Sequence, residues 1–249
     1  RPTSQGRIVV DWAKTALSAV TDMMSAVDAM RLDHRATLRV AASMTIAECL
    51  VPKWLMQLRS LSPALGVNLT VVNSVSVQQL VREDEAEVGF IECIDPPADL
   101  EYREVSRDRL VLVIAPSHPW AKRQRGVSFR ELADTALIVR EAGSGTRTAL
   151  EQALAAHGLS VDTHLELSSN AAIRVAVESG MAPAVLSQLA VDGEVREGRL
   201  VEVPVVDLDL ARPLRAVWRR RNRLTRSGAD LVTIASSIQA SKTVSRGTR

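Results

Sequence analysis

The sequence predicts an α/β protein made of two similar units in tandem, preceded by one long helix. Three observations support this prediction: the length of 249 residues, short β-branched runs that alternate with helical segments from residue 36 onward, and a heptad-like pattern before them. The length exceeds the roughly 150 residues that are typical of one domain. Because strands alternate with helices, we expect crossover connections and a mostly parallel sheet.

The first segment, residues 1–34, has the pattern of a linker or dimerisation helix. Apolar residues recur there at spacings of four and three, as in the seam of a coiled coil. These residues are Val9, Ala13, Ala16, Val20, Met23, Val27 and Met30. Two interpretations stay open: the helix pairs with a second copy of the chain, or it packs against its own domain.

The first α/β unit begins at residue 36. β-branched runs predict strands, and helical periodicity predicts the segments between them. We predict strands at 38–42, 67–72, 88–92 and 110–115, and helices at 45–61 and 75–82. The residues 116–119, Pro-Ser-His-Pro, then form a turn. Since no linker composition separates the two units, we expect a strand near Leu110 to cross between them.

The second unit repeats the alternation, with Gly158 and Gly180 ending two of its helices. We predict helices at 128–133, 146–157, 171–179, 188–192 and 225–239, and strands at 136–140, 164–167, 184–186, 200–206 and 214–218. The predicted division is therefore subdomain I at 36–109 and 219–240, subdomain II at 110–218, and a flexible tail at 241–249.

Composition excludes several classes of protein. The 31 basic and 29 acidic residues give a net charge of +2, and the chain has only four Trp, two Phe and one Tyr. These values argue against nucleic-acid binding by this chain alone. Cys49 and Cys93 form neither a CxxC pair nor a Cys/His cluster, so we predict no metal and no cofactor. No apolar run is long enough for a membrane helix and no signal peptide opens the chain, so we expect a cytoplasmic protein.

The candidate ligand-binding residues follow predicted strands, where helix N-termini offer hydroxyls and unpaired backbone N–H groups. They are Ser43, Met44, Thr45, Ser74, Gly143, Ser144, Gly145, Thr146, Ser169 and Asn170. Each such turn could equally be an ordinary helix cap without a ligand. The ligand interpretation gains support because both units carry such turns, which would face each other across a crevice.

Enzyme motifs are missing from the same turns. Residues 143–147 are neither a phosphate-binding P-loop nor a GxGxxG turn, and Gly143, Ser144 and Gly145 do not form a GxSxG nucleophile elbow. No His has a spacing that identifies it as a base for Ser144. We therefore predict no catalytic residue.

Segments spread along the chain resemble the LysR-type transcriptional regulators. They are 3–7 (similar to LTxAGR of the family's linker helix), 38–46 with 50–52 (first strand and ligand loop), 73–74 (GNS), 85–90 (GELDLAI), 112–121 (crossover) and 177–183 (VAAGLGIA). The stretch 140–147 is similar to the REPGSGTR run of regulators of carbon fixation and of sulfur or nitrogen assimilation, with Ala142 in place of Pro.

This resemblance implies a fold of two Rossmann-like subdomains in periplasmic-binding-protein type 2 architecture, with a co-inducer bound between them. It implies ligand contacts from Ser43, Thr45, Ser74, Ser144 to Thr146, Ser169 and Asn170. Glu92, at the end of the third strand, would also face the crevice. A carboxylate there would repel an anionic ligand unless an arginine pairs with it.

We therefore expect the effector-sensing domain of a DNA-binding regulator, which binds a small polar or anionic metabolite and controls oligomer geometry on DNA. The expected partners are a second copy, as a homodimer or homotetramer, and operator DNA through an N-terminal winged helix-turn-helix that precedes Arg1. Two alternatives stay open at this point. One is a solute-binding receptor of the same fold, and the other is an enzyme on this scaffold.

Overall fold

The computed structural model describes residues 3, 12–13, 37–220 and 223–244. Trp12 and Ala13 are helical, and the rest of the predicted linker helix lies outside the described residues. Residues 241–244 continue the last helix beyond its predicted end at 239, while the remainder of the predicted tail is also outside the described part. No helix within the described ranges is long and apolar enough to cross a membrane.

The first half of the chain forms four strands and three helices. The strands are β1 (Thr37–Ala42), β2 (Gly66–Val71), β3 (Val88–Glu92) and β4 (Leu100–Ile114), and the helices are α1 (Met44–Cys49), α2 (Val51–Leu61) and α3 (Ser74–Arg82). The single helix predicted at 45–61 is wrong, because Leu50 leaves helical geometry with φ −120° and ψ −48°. Pro52, which lacks an N–H, stands in the first turn of α2, where this costs no hydrogen bond.

The second half contributes the remaining elements. The strands are β5 (Val127–Ser128), β6 (Leu137–Arg140), β7 (Thr163–Leu167), β8 (Ala184–Ser187), β9 (Val201–Val203), β10 (Val205–Val206) and β11 (Ala211–Arg219), and the helices are α4 (Phe129–Ala133), α5 (Gly145–Ala155), α6 (Asn170–Glu178), α7 (Gln188–Arg196) and α8 (Arg226–Val244). The strand predicted at 200–206 is divided at Pro204, which has no N–H to donate to a ladder.

One sheet path runs in the order β2-β1-β3-β11-β4-β8-β6-β7, with β9 also beside β4. β1 is parallel to β2 and β3, and β6 is parallel to β7 and β8. β4 and β11 are antiparallel to their neighbours, so the sheet is mixed rather than mostly parallel. The fold is α/β as predicted.

β4 has 15 residues and connects the two halves of the sheet. Residues 100–109 pair with β11, and residues 110–113 pair with β8. The strand predicted at 110–115 corresponds only to the second part of β4. β11 pairs with β3 as well as β4, so residues 211–218 lie in the first half of the sheet. The division predicted from the sequence had assigned them to subdomain II.

We name the two halves of the fold by their elements. Lobe I comprises β1, β2, β3, β11 and residues 100–109 of β4 with α1, α2, α3 and α8, and lobe II comprises the remaining elements. Trp54 and Phe90, with ring centroids 4.9 Å apart, pack with Leu231 in the core of lobe I. Leu112 and Leu154 belong to a separate core in lobe II. Each lobe therefore has its own core, and the polar ends of their helices meet between them.

Candidate functional site between the lobes

The candidate site lies where the N-termini of α1 and α3 in lobe I meet those of α5 and α6 in lobe II. Seven of the predicted polar residues have at most 3% of their surface exposed there: Ser43, Thr45, Ser74, Glu92, Ser144, Thr146 and Asn170. Buried polar groups require hydrogen-bond partners. Their partners define how the two lobes are joined.

The Glu92 carboxylate is the centre of this arrangement. The Ser43 hydroxyl donates to Glu92 Oε1 at 2.8 Å, and the Thr146 hydroxyl lies 3.3 Å from Oε2. Arg212 Nη1 lies 2.5 Å from the same Oε2. The backbone N–H of Glu92 donates to the Ser74 hydroxyl at 3.1 Å. Because Thr146 belongs to lobe II and Ser43 to lobe I, one carboxylate connects hydroxyls of both lobes.

Arg212 also binds Asp108, its cross-strand partner between β11 and β4. Its Nη2 and Nε lie 2.7 Å and 3.0 Å from Asp108 Oδ2, and Ser187 donates to Oδ1 at 2.9 Å. Arg212 Nη1 also donates to the Thr146 hydroxyl at 3.0 Å. Arg212 and Asp108 are not among the site residues predicted from the sequence. The one signal in the sequence is a pair of opposite charges on two strands that cross between the lobes.

The environment of Glu92 favours its ionised form. Burial alone raises the pKa of this carboxyl, but the positive charge of Arg212 and the hydrogen bond from Ser43 outweigh burial and leave the pKa below its usual value. Arg212 is therefore the arginine partner that an anionic ligand beside Glu92 would require. The hydroxyl of the fully buried Thr45 also lowers this pKa.

A second contact between the lobes passes through Asn170 at the start of α6. Its amide Nδ2 donates to Glu48 Oε2 of α1 at 3.1 Å, and its Oδ1 accepts from Arg140 Nη1 at 2.8 Å. Arg140 is held in turn by Glu141 through two bonds of 2.8 Å and 2.9 Å. Asn170 thus closes one side of the space between the lobes.

The turn before α5 contacts lobe I on the other side of the space between the lobes. Asn73 caps α3 through Ser76 N and donates from Nδ2 to the Ala142 carbonyl at 3.3 Å, while Val75 N donates to the Gly143 carbonyl at 3.3 Å. Gly143 has φ +85°, a conformation that glycine adopts without strain. At Gly145, any Cβ would overlap the Glu92 carbonyl oxygen. Glycine is needed at this position because lobe II approaches the backbone of lobe I so closely.

The remaining predicted residues play local roles. Ser144 caps α5 by accepting from Thr146 N at 3.3 Å, and Ser169 caps α6 by accepting from Ala172 N at 3.4 Å. Ser169 and Met44 are only half-buried. Within the described part of the chain, no group of three His, Cys, Asp or Glu side chains could hold a metal ion.

A cavity of about 180 Å³ opens beside Glu92, between α3 and α5. Residues of both lobes line it: Ser74, Val75, Gln78, Glu92, Cys93, Ile94, Asp95, Gly143, Gly145, Thr148, Ala149 and Gln152. Two of these lining residues are carboxylates and none is a cation. A small molecule in this cavity would contact both lobes at once.

Comparisons with known proteins agree on one family. Residues 32–236 match the LysR substrate binding domain. An uncharacterised HTH-type transcriptional regulator of Mycobacterium tuberculosis is 42% identical over 226 residues, which cover 87% of this chain and 72% of the relative. The HTH-type transcriptional regulator CbbR of Rhodospirillum rubrum is 30% identical over 222 residues, covering 89% and 73%.

Solved structures show the same fold. The regulatory domain of CcmR from Synechocystis PCC6803, in complex with 2-PG, has a TM-score of 0.73 and 26% identity, covering 82% of this chain and 97% of that one. The effector binding domain of QuiR, in complex with shikimate, also has a TM-score of 0.73, with 12% identity and coverage of 83% and 98%. These similarities support the predicted two-lobed architecture. The relatives are transcriptional regulators, which does not support the receptor alternative.

Proposed function

The chain belongs to the LysR family of transcriptional regulators and contains its effector-binding domain, and we propose that this domain senses a small polar metabolite held between its two lobes. The observation that carries the proposal is the contact of Glu92 with hydroxyls of both lobes. A ligand beside Glu92 would touch the groups that hold the lobes together, so its binding would alter their arrangement.

The proposed mechanism is a shift between two arrangements of the lobes. A ligand can change this equilibrium only if it binds one arrangement more tightly than the other. In the described arrangement, Asn170 bonds to Glu48 on one side, and Val75 bonds to the Gly143 carbonyl on the other. A ligand that strengthens or breaks either contact would change the angle between lobes. We propose that this angle controls how copies of the chain assemble.

The proposed partners follow from the family. We infer a homodimer or homotetramer that reaches operator DNA through a separate DNA-binding segment, since the chain itself has a net charge of only +2. Regulation of transcription would place the protein in the cytoplasm. We also infer that the bound metabolite is released unchanged, which mass spectrometry of the ligand before and after incubation would test.

We propose that the two lobes are also the functional subdomains. In this division, subdomain I comprises 36–109 with the returning chain, and subdomain II begins at 110. We propose that the chain returns to subdomain I at residue 211 rather than 219, and the pairing of β11 with β3 supports this.

A metabolite screen followed by thermal shift tests the proposal. The compound that raises the melting temperature of the 249-residue chain should lose its effect in the double variant Ser43→Ala with Thr146→Ala. The matched control is Ser60→Ala with Thr233→Ala, because these two exposed hydroxyls bond only to carbonyls of their own helices. If the compound still raises the melting temperature fully in the Ser43 and Thr146 variant, the assignment of the site is wrong.

A further inference from the structure

The carboxylate of Glu92 makes the contacts that a small anion bound between the two lobes would make. Its Oε1 accepts from the Ser43 hydroxyl of lobe I at 2.8 Å, and its Oε2 accepts from the Thr146 hydroxyl of lobe II at 3.3 Å. Arg212 supplies the positive charge, with Nη1 2.5 Å from Oε2. Hydroxyls and a guanidinium are suitable donors for a free carboxylate. Here the chain itself supplies the carboxylate.

One hydroxyl carries the lobe II side of this contact. Thr146 donates to Glu92 and accepts from Arg212 Nη1 at 3.0 Å, so both members of the ion pair bind the same oxygen. Thr146 lies in the first turn of the 11-residue helix α5, where the positive end of the helix dipole favours a negative charge. The Glu92 side chain is 2% exposed, so salt screens these interactions little.

The backbone around Glu92 is fixed to lobe I. The N–H of Glu92 donates to the Ser74 hydroxyl at 3.1 Å. The buried guanidinium of Arg215 donates from Nη1 to the carbonyl of Ile94 at 3.0 Å and to the carbonyl of Cys93. Because Ser74 and Arg215 both belong to lobe I, this lobe positions Glu92, and the side chain alone reaches lobe II.

Two neutral hydrogen bonds also join the lobes near Glu92. Val75 N donates to the Gly143 carbonyl at 3.3 Å, and Asn73 Nδ2 donates to the Ala142 carbonyl at 3.3 Å. A hydrogen bond to a charged group is roughly twice as strong as a neutral one. We therefore expect the carboxylate to contribute more than either neutral bond, and the Val75 N–H to report whether the lobes separate.

We propose that Glu92 is an internal ligand: its carboxylate occupies the anion-binding position between the lobes and holds them together without an external molecule. The inference rests on the proposed effector site and adds how that site is regulated. An effector that takes this position displaces Glu92 from Thr146. Because such an effector binds only the fraction of molecules in which this contact is broken, the contact lowers its apparent affinity.

Replacement of the side chain by a free carboxylate tests the proposal. Glu92→Ala removes one methylene and the carboxylate, which together correspond to acetate, and acetamide is the neutral probe of the same shape. Exchange of the Val75 N–H, followed by NMR, reports its bond to Gly143. We expect this exchange to be at least about tenfold faster in Glu92→Ala than in the wild type, because a hydrogen bond to a charged group is lost.

Millimolar acetate should restore slow exchange in Glu92→Ala, whereas acetamide, or sodium chloride at the same ionic strength, should not. The wild type should respond to none of the three. The matched control is Glu101→Ala, which removes an exposed carboxylate of β4. It should exchange like the wild type and should not respond to acetate.

Two hydroxyl variants distinguish a contact between lobes from an ordinary buried ion pair. Thr146→Val keeps the pair of Glu92 and Arg212 but removes the hydroxyl of lobe II, so exchange at Val75 should again be about tenfold faster. Acetate should not reverse this change, because Glu92 still occupies its position. Ser43→Ala removes a hydroxyl within lobe I and should leave the exchange rate close to that of the wild type.

The proposal is overturned if Glu92→Ala exchanges like the wild type, if acetate acts no better than acetamide, or if Thr146→Val leaves the exchange unchanged. If Glu92→Ala does not fold with or without acetate, Thr146→Val decides. Failure here is distinct from failure of the proposed function. A metabolite that needs the hydroxyls of Ser43 and Thr146, in a chain where acetate cannot replace Glu92, would preserve the effector site and disprove only the internal ligand.

Discussion

Arg212 and Glu92 form an ion pair in the protein interior, with 2.5 Å between Nη1 and Oε2 and side chains 0% and 2% exposed. The same guanidinium bonds Asp108 on the crossing strand β4. The pair therefore links the carboxyl end of β3 to both strands that run between the lobes.

Removing the guanidinium should destabilise the fold strongly. Arg212→Met leaves two carboxylates buried without their cation, and we expect a loss of about 3–5 kcal/mol in the free energy of unfolding by urea titration. Arg220→Met is the matched control, because Arg220 is exposed and lies 3.6 Å from Glu101, and it should cost less than about 1 kcal/mol. Equal losses in the two variants would contradict a supporting role for the buried pair.

Stability should fall in acid partly because of Glu92. Its pKa in the folded protein lies below the ordinary 4.5, so its contribution is complete above about pH 4.5 and is lost as the pH falls through the folded pKa. Glu92→Gln should therefore lose less free energy of unfolding than the wild type between neutral pH and about pH 3. Glu131, whose pKa is lowered to about 2 by Arg123 and Ser128, remains in both proteins. Parallel acid curves would exclude Glu92 as a source of this pH dependence.

Gly145→Ala should separate the lobes. The added methyl group would overlap the Glu92 carbonyl oxygen, and we expect a cost of about 1–3 kcal/mol, as for overpacked interiors. Small-angle scattering should show a larger radius of gyration. Gly193→Ala is the control, since nothing lies within 4 Å of its Cβ, and in a helix it should stabilise by about 0.5–1 kcal/mol. An unchanged radius in Gly145→Ala would argue against direct contact at this point.

Cys49 should react slowly with iodoacetamide. Burial, then the negative charges of Glu48 and Asp108, raise the pKa of its thiol from 9.0 to about 11. Only the thiolate is nucleophilic, so at pH 8 the folded protein should alkylate at Cys49 on the order of a hundredfold more slowly than the urea-unfolded chain. Peptide mass spectrometry measures both rates. Rapid alkylation in the native protein would show that this thiol is more accessible than the fold indicates.

The turns of the site could be predicted from the sequence, whereas its charged residues Arg212 and Asp108 could not. Ser43, Ser74 and Thr146 could be found because strand-to-helix alternation marks the carboxyl ends of strands, and these ends meet between the lobes. Arg212 and Asp108 are 104 residues apart. Their pairing depends on the register of β4 against β11, which no local pattern encodes.

The first part of β4 was missed for a related reason. Its residues 101–104 are all exposed, so they lack the alternation of apolar and polar residues that reveals a half-buried strand. The break at Leu50 could have been predicted from Pro52, since helices often begin just before a proline in the first turn. The heptad pattern before residue 34 stays a prediction.

The ladder between β4 and β11 ends at the pair of Arg109 with Ala211, and Leu110 already pairs with Ser187 of lobe II. Both crossings of the chain therefore lie side by side within about one residue. Such a joint resists sliding but permits rotation, and displacement grows in proportion to distance from its axis. Arg212 is the next residue after this joint. A rearrangement at its guanidinium that rotates the lobes slightly would therefore displace β2 and β7, which lie farthest from the joint, the most.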